Sequence, residues 1–174
     1  LILLSEALEA NPLSPALRID YAQVLVSTGR LSDARKLATS GARMEPMGKD
    51  LAVSWMVLAI ADLAEGQPDA ARANTYRALS VYPHNELVSP FAIAILYLLG
   101  ERDAALRLMV EFTEVFPSFS HGNPFTQLLM RPIDVVIAAR RNNGEHLPPD
   151  ALTLLNQLRS AATPAATNDT SGSM

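Results

Sequence analysis

The side chains that could do chemistry in this chain do not form a catalytic pattern. The three histidines, His84, His121 and His146, fall in predicted loops, and no two of them have the spacing of a helical metal-binding pair. Ser118 and Ser120 lie beside His121, and a serine activated by a histidine is a common nucleophile. The chain has no G-x-S-x-G segment, the sharp turn that exposes such a serine in many hydrolases. We therefore predict solvated loop histidines and no catalytic serine.

The remaining candidate groups also form no catalytic or metal-binding motif. Glu111 and Glu114 lie three positions apart and would share one helix face. Paired acids serve acid–base catalysis in some enzymes, but a solvated helix face is the commoner arrangement. The sequence has no glycine-rich phosphate-binding motif. It also has no cysteine, which excludes disulfides, thiolate metal sites and cysteine nucleophiles. We predict no enzyme activity, no cofactor and no bound metal.

The composition favours a helical protein with a substantial hydrophobic core. Of the 174 residues, 49% are hydrophobic and most of these are Ala and Leu, which are strong helix formers. The formal net charge is −4. Because phosphate binding needs a basic face, nucleic acid is not the predicted partner. The longest apolar run, Phe91 to Leu99, has nine residues, about half of what a membrane-spanning helix needs, so we predict no membrane insertion.

A frame of glycine, alanine and proline recurs three times with constant internal spacing. Five positions separate Gly from Ala in each copy, and twelve separate Ala from Pro. Successive prolines lie 37 and then 34 positions apart, and a period near 34 is typical of stacked helix–turn–helix repeats. The copies are Gly29, Ala34 and Pro46; Gly66, Ala71 and Pro83; and Gly100, Ala105 and Pro117.

Each copy predicts two helices joined at its glycine. Glycine adopts the left-handed conformation that ends a helix, and the proline closes the second helix. The predicted first helices, here called A helices, are Pro15–Ser27, Asp50–Glu65 and Glu86–Leu99. The predicted B helices are Ser32–Met44, Asp69–Val81 and Asp103–Val115, each with its first residue as the N-cap.

On these residues the sequence resembles the tetratricopeptide repeat family over about residues 1–117. The second copy carries the family pattern most fully, with Trp55, Leu58, Ala59, Gly66, Ala71, Ala78 and Pro83. The first copy departs at Arg18 and the third at Phe112, where the family has a bulky and a small residue respectively. The resemblance implies an all-α fold, a right-handed superhelix (solenoid) of stacked helix–turn–helix repeats with C-terminal capping helices.

The predicted organisation follows from this repeat frame. Residues 1–12 would be a truncated second helix of a preceding repeat, followed by three repeats. We place these repeats at 13–46, 47–83 and 84–117. A degenerate repeat or capping helices would occupy 118–159, including helices at 124–130, 132–141 and 151–159, and a disordered tail would occupy 160–174.

The resemblance also implies a binding groove lined by the A helices. The family's groove positions correspond here to nine residues, hereafter the groove set: Ile19, Gln23, Val26, Met56, Ile60, Leu63, Phe91, Ala94 and Tyr97. The set contains no Lys, Arg or Asn, so it does not match relatives that hold a terminal carboxylate. An apolar groove suits an amphipathic helix or an extended apolar peptide. Alternatively, neighbouring repeats or the chain's own C-terminal helix, with Leu152, Leu155 and Leu158, could cover these residues.

The predicted function is a non-catalytic scaffold that binds a peptide or a partner domain through this apolar groove. A second copy of the chain is a further candidate partner. The alternative is that the chain is the sensory or regulatory C-terminal part of a larger bacterial signalling or transcription regulator, whose effector domain would precede Leu1. The sequence runs at 11–15 and 128–132 show a faint similarity to tails joined to such effector domains.

Overall fold

The computed structural model describes residues 2–44, 47–116, 133–139, 141–142, 144 and 153. All regular secondary structure in these residues is helical, which confirms the predicted all-α class. The helices in chain order are α1 (Ile2–Ala10), α2 (Pro15–Ser27), α3 (Leu31–Met44), α4 (Gly48–Ala64), α5 (Pro68–Val81), α6 (Ser89–Leu98), α7 (Arg102–Val115) and α8 (133–139).

The helices pack in the order in which they occur. From α1 to α7, each helix contacts the next one along the chain. The predicted A helices also contact one another, α2 with α4 and α4 with α6. This is the pattern expected of a helical-repeat solenoid, because each helix pair needs a neighbouring pair to bury its apolar face. The repeat boundaries and the right-handed superhelix stay predictions.

The three predicted turns are built alike. Gly29, Gly66 and Gly100 have φ angles of 77°, 74° and 84°, in the left-handed region that glycine reaches without a steric penalty. In each turn the glycine N–H and the following N–H donate to carbonyls of the preceding helix; at the first turn, Arg30 N donates to Leu25 O at 2.9 Å. These paired bonds satisfy carbonyls that the helix end leaves open, so the turn predictions are confirmed.

The predicted N-caps of the B helices are wrong, since Gln67 and Glu101, two residues before the predicted Asp69 and Asp103, occupy the N-cap positions of α5 and α7. The helices begin at Leu31, Pro68 and Arg102, so Asp69 and Asp103 lie inside the first turn. A proline at the first helical position explains the early start of α5, since its fixed φ suits that position and its missing N–H is not needed. The two aspartates still favour these helix starts, because negative charge is stabilising near a helix N-terminus.

The third A helix is shorter than predicted. It was expected from Glu86 to Leu99 but spans Ser89–Leu98. The buried Asn85 side chain accepts hydrogen bonds from Leu87 N at 2.7 Å and Val88 N at 3.1 Å. This is an N-cap pattern, and Ser89 N also donates to Asn85 O at 2.8 Å. Pro90 has no N–H to donate to Glu86 O, so the first turn does not continue directly and the regular helix begins at Ser89.

Small residues line the inner side of the B helices. Ala34, Ala38, Ala71, Ala78 and Ala105 are all fully buried. A small side chain at such a position lets two helix backbones come close, and extra methylenes would push them apart. The third copy differs because Phe112 replaces the last small residue. Phe112 lies in a separate hydrophobic cluster between α6 and α7.

A close approach of this kind occurs at Gly41 in α3. A Cβ atom there would lie 2.9 Å from Ile19 Cγ1 in α2 and 3.5 Å from Ser54 Oγ in α4. We expect Gly41→Ala to be destabilising by about 1 kcal/mol, because an overpacking penalty of about 1–3 kcal/mol exceeds a helix-propensity gain of about 1 kcal/mol. Thermal unfolding measures the change. A variant more stable than the wild type would show that α2 and α3 are not packed this closely.

Several predicted features lie outside the described residues. These are the closing prolines Pro46 and Pro117, the predicted helix at 124–130, most of the predicted helix at 151–159, and the tail at 160–174. The described helix α8 falls within the helix predicted over 132–141.

Candidate binding surface

The groove set lies on three helices, with Ile19, Gln23 and Val26 on α2 and the other members on α4 and α6. Seven of the nine side chains are buried, with exposures of 0–6%. Only Gln23 and Tyr97 keep intermediate exposure. The buried members are Ile19, Val26, Met56, Ile60, Leu63, Phe91 and Ala94, and all belong to one hydrophobic cluster, against which Tyr97 packs.

The helix α8 contributes to this same cluster. Its Ile133 and Val136 are fully buried, and Ile137 is 7% exposed. All three belong to the cluster that holds the buried groove positions, whereas Asp134 and Ala138 on the other side of α8 are exposed. The seven buried groove positions are therefore part of the core, to which the chain also supplies apolar side chains from beyond the three predicted repeats.

A polar bridge joins three helices around the buried Asp62 of α4. Its carboxylate forms an ion pair of 2.6 Å with Arg35 of α3 and accepts a hydrogen bond of 2.7 Å from the Asn74 amide of α5. Arg35 also reaches Glu65, at the end of α4, at 2.7 Å. Desolvation lowers the pKa of Arg35, but the hydrogen bonds and charges of Asp62 and Glu65 outweigh it and raise that pKa. The bridge therefore ties the first helix pair to the second.

The bridge continues onto an aromatic ring. Asn74 accepts a hydrogen bond of 3.1 Å from Arg77, and the Arg77 guanidinium lies 5.1 Å from the centre of the Trp55 ring. A cation over an indole face is attracted by the electron density of the ring. Arg102 stands in a similar relation to the groove residue Tyr97, at 5.9 Å.

A second cross-pair contact joins α5 to the start of α7. Glu101 accepts hydrogen bonds from Arg72 and from the Tyr76 hydroxyl, both at 2.5 Å. The bond from Tyr76 lowers the pKa of Glu101 most; desolvation opposes it, and Arg72 adds to the lowering. The same bond raises the pKa of Tyr76. The second and third helix pairs are thus tied in the same way as the first and second.

This contact predicts a pH dependence of stability. Because the pKa of Glu101 is lower in the folded chain than the ordinary 4.5, its stabilising contribution is fully present above that value and is lost as the pH falls through the folded pKa. We expect Glu101→Gln to be less stable than the wild type at neutral pH, and the difference to shrink in acid. Urea unfolding at several pH values measures this. Glu111→Gln, which removes an exposed carboxylate of α7, is the control, and a gap for Glu101→Gln that is constant with pH would contradict the prediction.

The sequence analysis did not predict the contacts of Arg35 with Glu65 and of Arg72 with Glu101, although the sequence contains a signal for them. Arg35 and Arg72 each stand directly after the small alanine of their copy, and Glu65 and Glu101 each stand next to the turn glycine of the following copy. The third copy has Leu106 at the arginine position, and this side chain is 44% exposed. A charged residue repeated at one repeat position, with an opposite charge about thirty positions later, is the signal that would have found them.

The catalytic candidates form no site in the described part of the chain. Glu111 and Glu114 are both exposed, as the solvated-face interpretation expects. His84 is exposed and adopts a φ angle of 55°. His121, His146, Ser118 and Ser120 lie outside the described residues. Among the residues that are described, no group of three or more His, Asp or Glu side chains is placed to hold a metal ion.

No helix in the described segments combines the length and the apolarity that crossing a bilayer requires.

Residues 3–51 match the sequence model of one protein family, the tetratricopeptide repeat. The matched segment spans nearly all of α1, the whole of α2 and α3, and the start of α4. No significant match was found among curated proteins or among solved structures.

The match and the geometry agree on the kind of protein. Tetratricopeptide repeats are in general non-catalytic modules for protein–protein interaction, and their helix pairs stack into extended binding surfaces. Here the matched residues form helices that pack in sequence, with a left-handed glycine turn between α2 and α3. The described residues form an all-helical array of packed helix pairs, and residues 3–51 match the tetratricopeptide repeat family.

Proposed function

We propose that the chain is a non-catalytic scaffold that holds a protein or peptide partner against the surface around the groove set. The observation that carries the proposal is the family match at residues 3–51, in a chain whose later helix pairs repeat the same turns and cross-pair contacts. The net charge of −4 favours a protein partner over nucleic acid.

Burial decides which groove residues an incoming partner meets first. Gln23 and Tyr97 are the two members of the set with partial exposure, and the neighbouring Arg102 lies against the Tyr97 ring. An aromatic residue and an arginine are the types most often found to dominate the energy of protein interfaces. We place the first contact with a partner at this end of α6. A partner reaches the buried groove positions only if the side chains packed over them move.

The test compares two tyrosines that differ in position. The immobilised chain is used to isolate a partner from its source extract, and the purified partner is then titrated by calorimetry. We expect Tyr97→Ala to weaken binding at least about tenfold, the loss of one interface anchor. Tyr82→Ala, which removes a 43% exposed tyrosine at the end of the B helix α5, is the matched control. Equal affinities for the wild type and both variants would place the binding surface elsewhere.

A further inference from the structure

We propose that the outer face of α7 is a two-fold contact between two copies of this chain, in which the two α7 helices cross in antiparallel orientation. The contact uses one ridge of α7, hereafter the α7 ridge, defined by every fourth residue: Arg102, Leu106, Val110 and Glu114. This inference goes beyond the proposed function, because it assigns a role to a B helix and its partner is a second copy of the chain.

The α7 ridge lies on the solvent side of its helix. The buried side of α7 carries Ala105 and Phe112, which pack with residues of α6 in a separate hydrophobic cluster. Since a helix turns about 100° per residue, Leu106 and Val110 project from a different side than these two residues. Leu106 is 44% exposed and Val110 is 55% exposed. The helix therefore presents two large aliphatic side chains, one turn apart, to the solvent.

The corresponding positions of the second copy contact the next helix pair. Leu106 follows the small alanine of its copy directly, as Arg72 does. Val110 lies five positions after that alanine, as Tyr76 does. Both Arg72 and Tyr76 donate hydrogen bonds to Glu101, directly before α7. Leucine and valine side chains have no donor for such bonds, so the third copy presents an apolar surface where the second copy forms its polar contact.

The α7 ridge is complementary to itself when one copy is reversed. A cation, Arg102, stands at its first position and an anion, Glu114, at its last, with the two aliphatic residues between them. In the antiparallel direction, a second copy sets its Glu114 beside Arg102 and its Val110 beside Leu106. A parallel pair in the same register sets like charges together, which is unfavourable. Reciprocal pairing of this kind is what a two-fold contact between identical chains requires.

Helix geometry allows this pairing. Residues four apart form ridges on a helix surface, and the ridges of two helices align when the helices cross at about 50°. The α7 ridge is about 18 Å long at a rise of about 1.5 Å per residue. Arg102 and Glu114 at its ends are exposed, so the charges meet at the rim of the contact while Leu106 and Val110 are covered at its centre.

The size of the contact sets its expected strength. Two aliphatic residues of each copy form the centre, with one charge pair at either end, and this is small beside a standard interface of about 1,600 Å². A small interface gives a weak and reversible association. We therefore expect dimers at high concentration and monomers on dilution.

Charge reversal tests the antiparallel pairing. The 174-residue chain is studied by sedimentation equilibrium over a concentration series at low ionic strength. Arg102→Glu and Glu114→Arg each set like charges together at both ends of the contact, and we expect each to weaken dimerisation at least about tenfold. An equimolar mixture of the two variants has opposite charges at both ends again, and so has one chain that carries both substitutions. We expect both samples to dimerise as the wild type does.

The controls separate the contact from general effects of charge and from folding. Glu111→Arg makes the same substitution at an exposed position outside the α7 ridge and should leave dimerisation unchanged. The chain with both substitutions has an acid in the first turn of α7 and a base in the last turn, and both charges are favourable there. Its dimerisation therefore reports on the contact and not on a damaged helix.

A substitution at the centre gives a second readout. Leu106→Arg introduces the residue type that the first two copies carry at this exposed position, and we expect it to weaken dimerisation at least about tenfold, because it places an unpaired charge in the contact. Circular dichroism confirms that the variant is folded. A wild-type chain that stays monomeric at every concentration overturns the proposal. A dimer that tolerates Leu106→Arg, or that the mixture of charge variants does not restore, overturns it as well.

Discussion

Replacing Asp62 by alanine is expected to lower the free energy of unfolding by about 3 kcal/mol. Asp62 is 1% exposed, and its carboxylate holds Arg35 at 2.6 Å and Asn74 at 2.7 Å. Removing one partner of a buried ion pair costs about 3–5 kcal/mol when the other charge is left without compensation. The low end applies because Arg35 keeps its contact with Glu65 and its side chain is 32% exposed, so that it can regain water. Urea unfolding measures the change.

A surface ion pair provides the control for Asp62. Asp33 of α3 pairs with Arg30 and Lys36, all with exposed side chains, and exposed pairs add little to stability because solvent screens them. Asp33→Ala should therefore change stability far less than Asp62→Ala. If the two variants lose the same amount, the bridge between α3, α4 and α5 does not hold the first two helix pairs together.

The second large loss of stability is expected for a larger side chain at Ala71, the small alanine of the second copy. Ala71 of α5 is 0% exposed, and α5 packs directly on α4. A leucine there must separate the two helices or distort its neighbours, so Ala71→Leu should destabilise the chain by about 1–3 kcal/mol. Differential scanning calorimetry would detect this as a lower melting temperature.

The same helix offers a matched control two positions away. Ala73 is exposed, and Ala73→Leu adds the same atoms without entering the contact between the helices. Surface changes of this kind usually stay within about 0.5 kcal/mol. A melting temperature for Ala71→Leu equal to that of Ala73→Leu would mean that Ala71 does not lie where the helices meet.

The turns and the helix order were predictable from sequence because local chemistry decides them. Glycine takes a positive φ without a steric penalty, as Gly29, Gly66 and Gly100 do at the three turns, and the limits of α2 follow from Pro15 and from the turn at Gly29. The start of α6 was missed for an equally local reason. Asn85 caps a single turn, and Pro90 lacks the N–H that would continue it, which a helical pattern read from apolar spacing does not detect.

Burial of the groove set could not be read from the sequence. The spacing of Met56, Ile60 and Leu63 identifies one face of α4, but whether that face is open depends on segments far away in the chain. Ile133 and Val136 join the cluster from α8, and this long-range pairing leaves no local signature. The sequence had suggested a self-covering segment with Leu152, Leu155 and Leu158, which lie outside the described residues.

The partners of Asp62 were also missed. A carboxylate between Leu58 and Leu63, in a helix otherwise rich in apolar residues, indicates a buried polar contact. The sequence shows that such a contact is needed, but it does not show which residue supplies it. Arg35 lies 27 positions earlier in the chain, and only the packing of α3 on α4 brings the two together.

The helix α4 is the buried centre of the packed array of described helices. Thirteen residues of α4 are buried, whereas α1 has none, and α4 contacts α2, α3, α5 and α6. Amide hydrogen exchange under native conditions tests this directly, because protection follows the free energy of opening each segment. We expect the α4 amides to exchange most slowly and the α1 amides to be among the fastest. Exchange from α4 as fast as from α1 would contradict this prediction.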